Sequence, residues 1–169
     1  MSQRFFARTK ACVGTLVLTA SVVALAPAAS AQSDGPFALF AGGWTGNGTI
    51  TDSKGASERI RCRVHYYVMQ QGRDLNQQLR CASDSYHFDV NSVLLDDGSG
   101  KVVGNWTETN RNAIGKVNGE VQGNGVRAEV VGTGFTASLT VALRGDKQSV
   151  RIVPTGSDVA SVTIDLHRE

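Results

Sequence analysis

Residues 58–82 read ERIRCRVHYYVMQQGRDLNQQLRCA, and their alternation decides the fold class. In the first half Ile60, Cys62, Val64, Tyr66 and Val68 share one face, while Arg59, Arg61, Arg63, His65 and Tyr67 take the other. In the second half Leu75, Gln77, Leu79 and Cys81 alternate with Asn76, Gln78 and Arg80. A period of two with one apolar face is the mark of a half-buried strand. A turn centred on Gln71-Gly72 joins the halves into a hairpin. Val68 then faces Leu75, Val64 faces Leu79 and Cys62 faces Cys81, so the apolar pattern and the cysteines agree on one register. Opposed residues on antiparallel strands have the Cα separation a disulfide needs, about 4.4–6.8 Å. A Cys62–Cys81 bridge is expected, worth about 3 kcal/mol on the chain-entropy model.

The same alternation recurs along the chain. Strands are expected near 44–51, 58–69, 74–82, 86–95, 101–109, 113–121, 126–131, 135–144, 148–153 and 159–166. Asn124-Gly125 and Gly145-Asp146 suit tight hairpins, and Asp97-Gly98-Ser99-Gly100 suits a longer turn. Such a series folds as a sandwich or, better, closes into a barrel, because a long open meander leaves unpaired edges. The expected fold is an all-β, antiparallel up-and-down barrel of about 8–10 strands. On the first strand Trp44, Gly46, Gly48 and Ile50 share a face. Pairing Ile50 with Ile60 sets Trp44 against Tyr66 and Gly48 against Cys62.

The N-terminus has another character. Arg4, Arg8 and Lys10 precede an uncharged apolar run from Ala11 to Ala26, and Pro27-Ala28-Ala29-Ser30-Ala31 follows. A basic start, a short apolar centre and a small-x-small exit make a secretory signal, with cleavage expected after Ala31. The domain reading is 1–31 signal peptide, 32–40 N-terminal arm and 41–169 a single barrel. Phe37, Leu39 and Phe40 of the arm are placed to plug one barrel end. After cleavage 14 basic residues stand against 15 acidic ones, a net charge of −1. That balance gives no reason to expect nucleic acid as a partner. A second apolar segment is absent, so no membrane span is expected in the mature chain. An outer-membrane barrel is disfavoured by short strands at 126–131 and 148–153 and by arginines on the outer face. The expected location is the periplasm or the medium.

Gly42-Gly43-Trp44 at the start of the first strand resembles the Gly-x-Trp signature of lipocalins and the wider calycin group, which includes avidin-like barrels. Gly104-Asn105-Trp106 repeats the pattern later. The resemblance implies a barrel with Trp44 closing one end. A further mark of lipocalins, a late Arg packed on that Trp, is not identifiable in the sequence. The chain also resembles small, uncharacterised exported proteins of Gram-negative bacteria, a likeness that brings no activity with it.

The inward set contains Trp44, Tyr66, Gln77, Phe88 and Trp106, and these are the candidate ligand-binding residues. An apolar, aromatic interior with a few polar groups suits a small apolar molecule, whereas the same residues packed solid would form only a core. Arg59, Arg61, Arg63 and Arg80 form a candidate basic patch on the outer face. Arg63 and Arg80 stand opposite one another there and repel, a repulsion that an acidic neighbouring strand, an anion or a partner can offset. The three histidines have no metal-ligand spacing, and no nucleophile-base-acid set can be placed together. No catalytic residue, metal or cofactor is expected. The leading reading is a non-catalytic exported barrel that binds a small apolar or aromatic ligand. The alternative is a protein-interaction or inhibitor module of the cell envelope that uses the basic outer face.

Overall fold

A computed structural model describes residues 34–169; the expected signal at 1–31 lies outside the described residues, as do Gln32 and Ser33. After a single 3₁₀ turn, Ala38–Phe40, ten strands follow in order: β1 Gly42–Asp52, β2 Ser57–Met69, β3 Asp74–Ala82, β4 His87–Asp96, β5 Lys101–Glu108, β6 Ala113–Gln122, β7 Gly125–Gly132, β8 Phe135–Arg144, β9 Lys147–Thr155 and β10 Val159–Arg168. Each pairs antiparallel with the next, and β1 pairs with β10 to close the barrel. Closure leaves no free edge among the ten described strands.

The register of β2 on β3 is the one the apolar pattern demands. Val68 pairs with Leu75, Val64 with Leu79 and Cys62 with Cys81. The two cysteines form a disulfide across a Cα separation of 4.1 Å. The register of β1 on β2 differs from expectation by two residues: Trp44 meets Val64, Gly46 meets Cys62 and Gly48 meets Ile60. The cause is the connecting turn. Asp52 Oδ1 accepts the backbone N–H groups of Lys54 and Ala56, and Gly55 takes a left-handed φ of 88°. This loop pairs Thr51 with Ser57, closer to the strand than the expected pairing allows. A shift of two keeps every side chain on its expected face. The β6–β7 hairpin also departs from expectation. Gln122 pairs with Gly125, so its turn residues are Gly123-Asn124, with Gly123 at φ 55°. The strands at Gly125–Gly132 and Lys147–Thr155 are longer than the short ones expected.

One end of the barrel is plugged. Phe37 and Phe40 meet edge to face at 6.1 Å between ring centres, and Phe40 meets Tyr66 in the same way at 5.5 Å. The Trp44 indole is fully buried beside them and donates Nε1–H to the Phe40 carbonyl at 2.7 Å. Leu39 does not join the plug; it is exposed, because the 3₁₀ turn points it outward between two buried phenylalanines. The arm is tied to the β2–β3 turn by Gly35 N–H on the Gln71 carbonyl, 2.6 Å, and Phe37 N–H on the Gly72 carbonyl, 2.9 Å. The crossing is tight: a Cβ at Gly35 would lie 2.5 Å from the Gly72 carbonyl carbon.

Arg168 locks this end. Its guanidinium lies 4.3 Å above the Trp44 ring, and it donates to the carbonyls of Ala41 and Leu39. The late arginine that the sequence did not reveal is therefore present. It pairs with Trp44 only because β10 returns to β1.

Candidate functional site

Above the plug the barrel is hollow. A cavity of about 410 Å³ runs from Tyr66 to the loops at the opposite end. That is within the range of small-molecule pockets, roughly 300–1,000 Å³. Its walls are inward residues of successive strands, mostly aliphatic, with Tyr86, Phe88 and Phe135 toward the mouth. Tyr86 and Phe88 lie nearly parallel, 8° between planes and 6.0 Å between ring centres.

The structure brings four of the five candidate ligand-binding residues together on this cavity: Tyr66, Gln77, Phe88 and Trp106. Trp44 does not line it, because the shifted first strand and the arm hold its indole within the plug. Tyr66 forms the floor. Gln148 Nε2 donates to its hydroxyl at 2.9 Å, a buried contact. Burial pushes the Tyr66 hydroxyl pKa well up, and the Gln148 hydrogen bond offsets only part of that. A continuous row then crosses the wall, Tyr66 paired with Gln77, Gln77 with Ser92, Ser92 with Trp106 and Trp106 with Gly115. Trp106 donates Nε1–H to the Val131 carbonyl at 3.2 Å, and its indole lies against Gly115, where a Cβ would come within 2.5 Å of Nε1.

Two charged groups border the mouth. Glu108 is 5% exposed; its carboxylate accepts the backbone N–H groups of Asp89, Asn110 and Arg111 at 3.1, 3.2 and 2.7 Å. Burial disfavours its charge, but these three donors and the Arg111 guanidinium outweigh burial and hold its carboxyl below the ordinary glutamate value. Arg111 sits 3.7 Å from that carboxylate, donates to the His87 carbonyl at 3.0 Å and stacks on Phe88 at 5.0 Å. Glu108→Gln is expected to cost about 2 kcal/mol near neutral pH, the worth of hydrogen bonds to a charged acceptor. A lowered folded-state pKa means this contribution is full above the ordinary value of 4.5 and fades as pH falls through the depressed one. Thermal melts from pH 7 to pH 3 should show the gap between wild type and variant closing in acid. A gap that stays constant would remove the charge from the explanation.

Gln148, Ser92, Glu108 and Arg111 were not among the candidates. The first three sit at inward positions of otherwise apolar alternations, which was the available signal. Arg111 lies in the β5–β6 turn, where no period exists to read.

On the outer face Arg61, Arg63 and Arg80 gather along a shallow groove with His87 and His167, and Arg59 lies outside it. The opposed arginines are offset by acids from two directions. Arg63 pairs with Glu169 at 2.9 Å and Arg80 with Asp89 of β4 at 3.3 Å. Exposed pairs of this kind contribute about 0–1 kcal/mol each. Among the described residues no three His, Cys, Asp or Glu side chains gather to hold a metal ion, and no helix is long and apolar enough to cross a membrane.

No family model matches the chain, and no curated protein matches its sequence. Solved structures do match its fold. An S-type phycobiliprotein lyase from Guillardia theta is 8% identical, with a TM-score of 0.60 over 79% of this chain and 90% of that one. Rv2717c from M. tuberculosis is 13% identical, with a TM-score of 0.55 over 78% of this chain and 94% of that one. At these identities the likeness is one of fold alone, that of a small antiparallel β-barrel.

Proposed function

We propose that this protein is an exported, non-catalytic carrier or receptor that binds one small apolar or aromatic molecule inside the barrel, as lipocalins do. The observation that carries this is the cavity itself. Ten strands enclose more volume than their inward side chains fill, one end is plugged, and the other opens through an aromatic rim. The phycobiliprotein lyase among the structural relatives raises an enzymatic rival. Against it, the two buried ionisable side chains bordering this cavity are already engaged: Glu108 by three backbone donors and Tyr66 by Gln148. A general acid or base needs a free, positioned group.

The test is titration with N-phenyl-1-naphthylamine, an uncharged aromatic dye, alongside native mass spectrometry of protein recovered without denaturation. One saturable site per chain is expected, with a protein mass beginning at Gln32 and a discrete small-molecule increment. Trp106→Ala should weaken the dye about tenfold, the upper range for one aromatic contact. No saturable binding together with a bare mass would end this reading. It would turn attention to the arginine groove and a protein partner.

A further inference from the structure

Gln77 and Ser92 are polar residues in a wall that, apart from Glu108, Arg111 and Ser157, is mostly aliphatic and aromatic. They are directly paired across β3 and β4, so their side chains stand side by side on the inner face. Ser92 is 8% exposed and Gln77 half-buried, and both border the cavity. Among the described residues neither side chain has a hydrogen-bond partner, yet no buried polar atom is sealed off from both partner and space. Their polar atoms therefore face the cavity. Polar groups turned into an apolar void are costly unless something pairs with them. This differs from the Tyr66–Gln148 contact at the floor, which is satisfied within the protein.

What would pair with them is constrained by the neighbours. The residue paired with Ser92 on its other side is Trp106, whose indole is held by Val131 and Gly115. A flat ring resting against Trp106 has Ser92 and then Gln77 as the next inward neighbours along the same row of the wall. Among the described residues the inner end of the cavity offers no counter-charge. The two charged side chains that border the cavity, Glu108 and Arg111, flank the mouth and engage each other and the backbone. An ion placed deep in the barrel would be desolvated without compensation.

We propose that Gln77 and Ser92 are the specificity pair of this cavity, selecting an uncharged planar molecule that carries a carbonyl at its inner end; this rests on the cavity being the binding site. The Gln77 amide and the Ser92 hydroxyl donate to that carbonyl while the ring stacks on Trp106.

Two naphthalene dyes test it. One, 6-propionyl-2-(dimethylamino)naphthalene, has a carbonyl whose hydrogen bonding moves its emission to the red; the other, N-phenyl-1-naphthylamine, has none. The variants are Gln77→Leu, Ser92→Ala and the pair together, all lined with apolar groups and checked by thermal melting. The double variant should bind the carbonyl dye about tenfold more weakly, the loss of one to two buried hydrogen bonds. The bound emission should move to the blue, and the affinity for the second dye should stay within about twofold. Equal weakening of both dyes, or an unchanged affinity and emission for the carbonyl dye, would overturn the specificity pair. If the wild-type protein binds neither dye, the interior site itself fails and takes the pair with it, whereas binding of the second dye alone refutes only the pair.

Discussion

Trp44→Ala lowers the stability of the protein by about 4 kcal/mol, within the range for removing a buried Trp or Phe. For a chain of this size that is a fall in Tm of roughly 15 °C. The indole is fully buried, bonded to the Phe40 carbonyl at 2.7 Å and roofed by Arg168 at 4.3 Å. Its loss opens a void in the plug and frees the last strand's hold on the arm. The second half of the expectation separates Trp44 from Trp106. Trp44 does not line the cavity, so at temperatures where both forms are folded the naphthylamine dye should bind Trp44→Ala and wild type within about twofold of each other. Thermal melts and a dye titration on the same samples measure both. A stability loss under about 1 kcal/mol would mean that Phe37, Phe40 and Arg168 close the end without the indole.

Replacing both bridge cysteines, Cys62→Ala with Cys81→Ala, should cost about 3 kcal/mol, most of it through the unfolded chain. The bridge spans 19 positions, and a loop of that size loses about that much closure entropy in the denatured ensemble. Both sulfurs are buried, at 3% and 4% exposure, so alanine also removes some apolar packing. The hairpin register should survive, because Val64 on Leu79 and Val68 on Leu75 demand it independently. Urea unfolding of the double variant, and of wild type with and without reductant, gives the difference directly. A loss below about 1 kcal/mol would show that the denatured chain already holds the hairpin closed.

The hairpin at β2–β3 was legible in the sequence because its two signals are local and independent. Alternation assigns faces, and the cysteine positions confirm the offset. Faces stayed right even where register did not. Trp44 points inward as expected, although β1 sits two residues along on β2, since Asp52 caps a tighter loop than the apolar pattern can reveal. The β6–β7 turn moved by one position for the same kind of reason: Gly123 and Gly125 flank Asn124, and either glycine could supply the positive φ. Ser92 and Glu108 escaped notice because a polar residue at one inward position looks like an interruption until its neighbours are known.

Alternation, turn chemistry and the cysteine pair are properties of residues a few positions apart, and from them follow the ten strands, their inner faces and the Cys62–Cys81 bridge. The meeting of Arg168 with Trp44 and the contact between Tyr66 and Gln148 join residues more than 80 positions apart, and they exist only because β10 returns to β1. The cavity is of the same kind. Its volume is the difference between what ten tilted strands enclose and what all their inward side chains fill, so no single stretch of sequence contains it and only the closed barrel decides it.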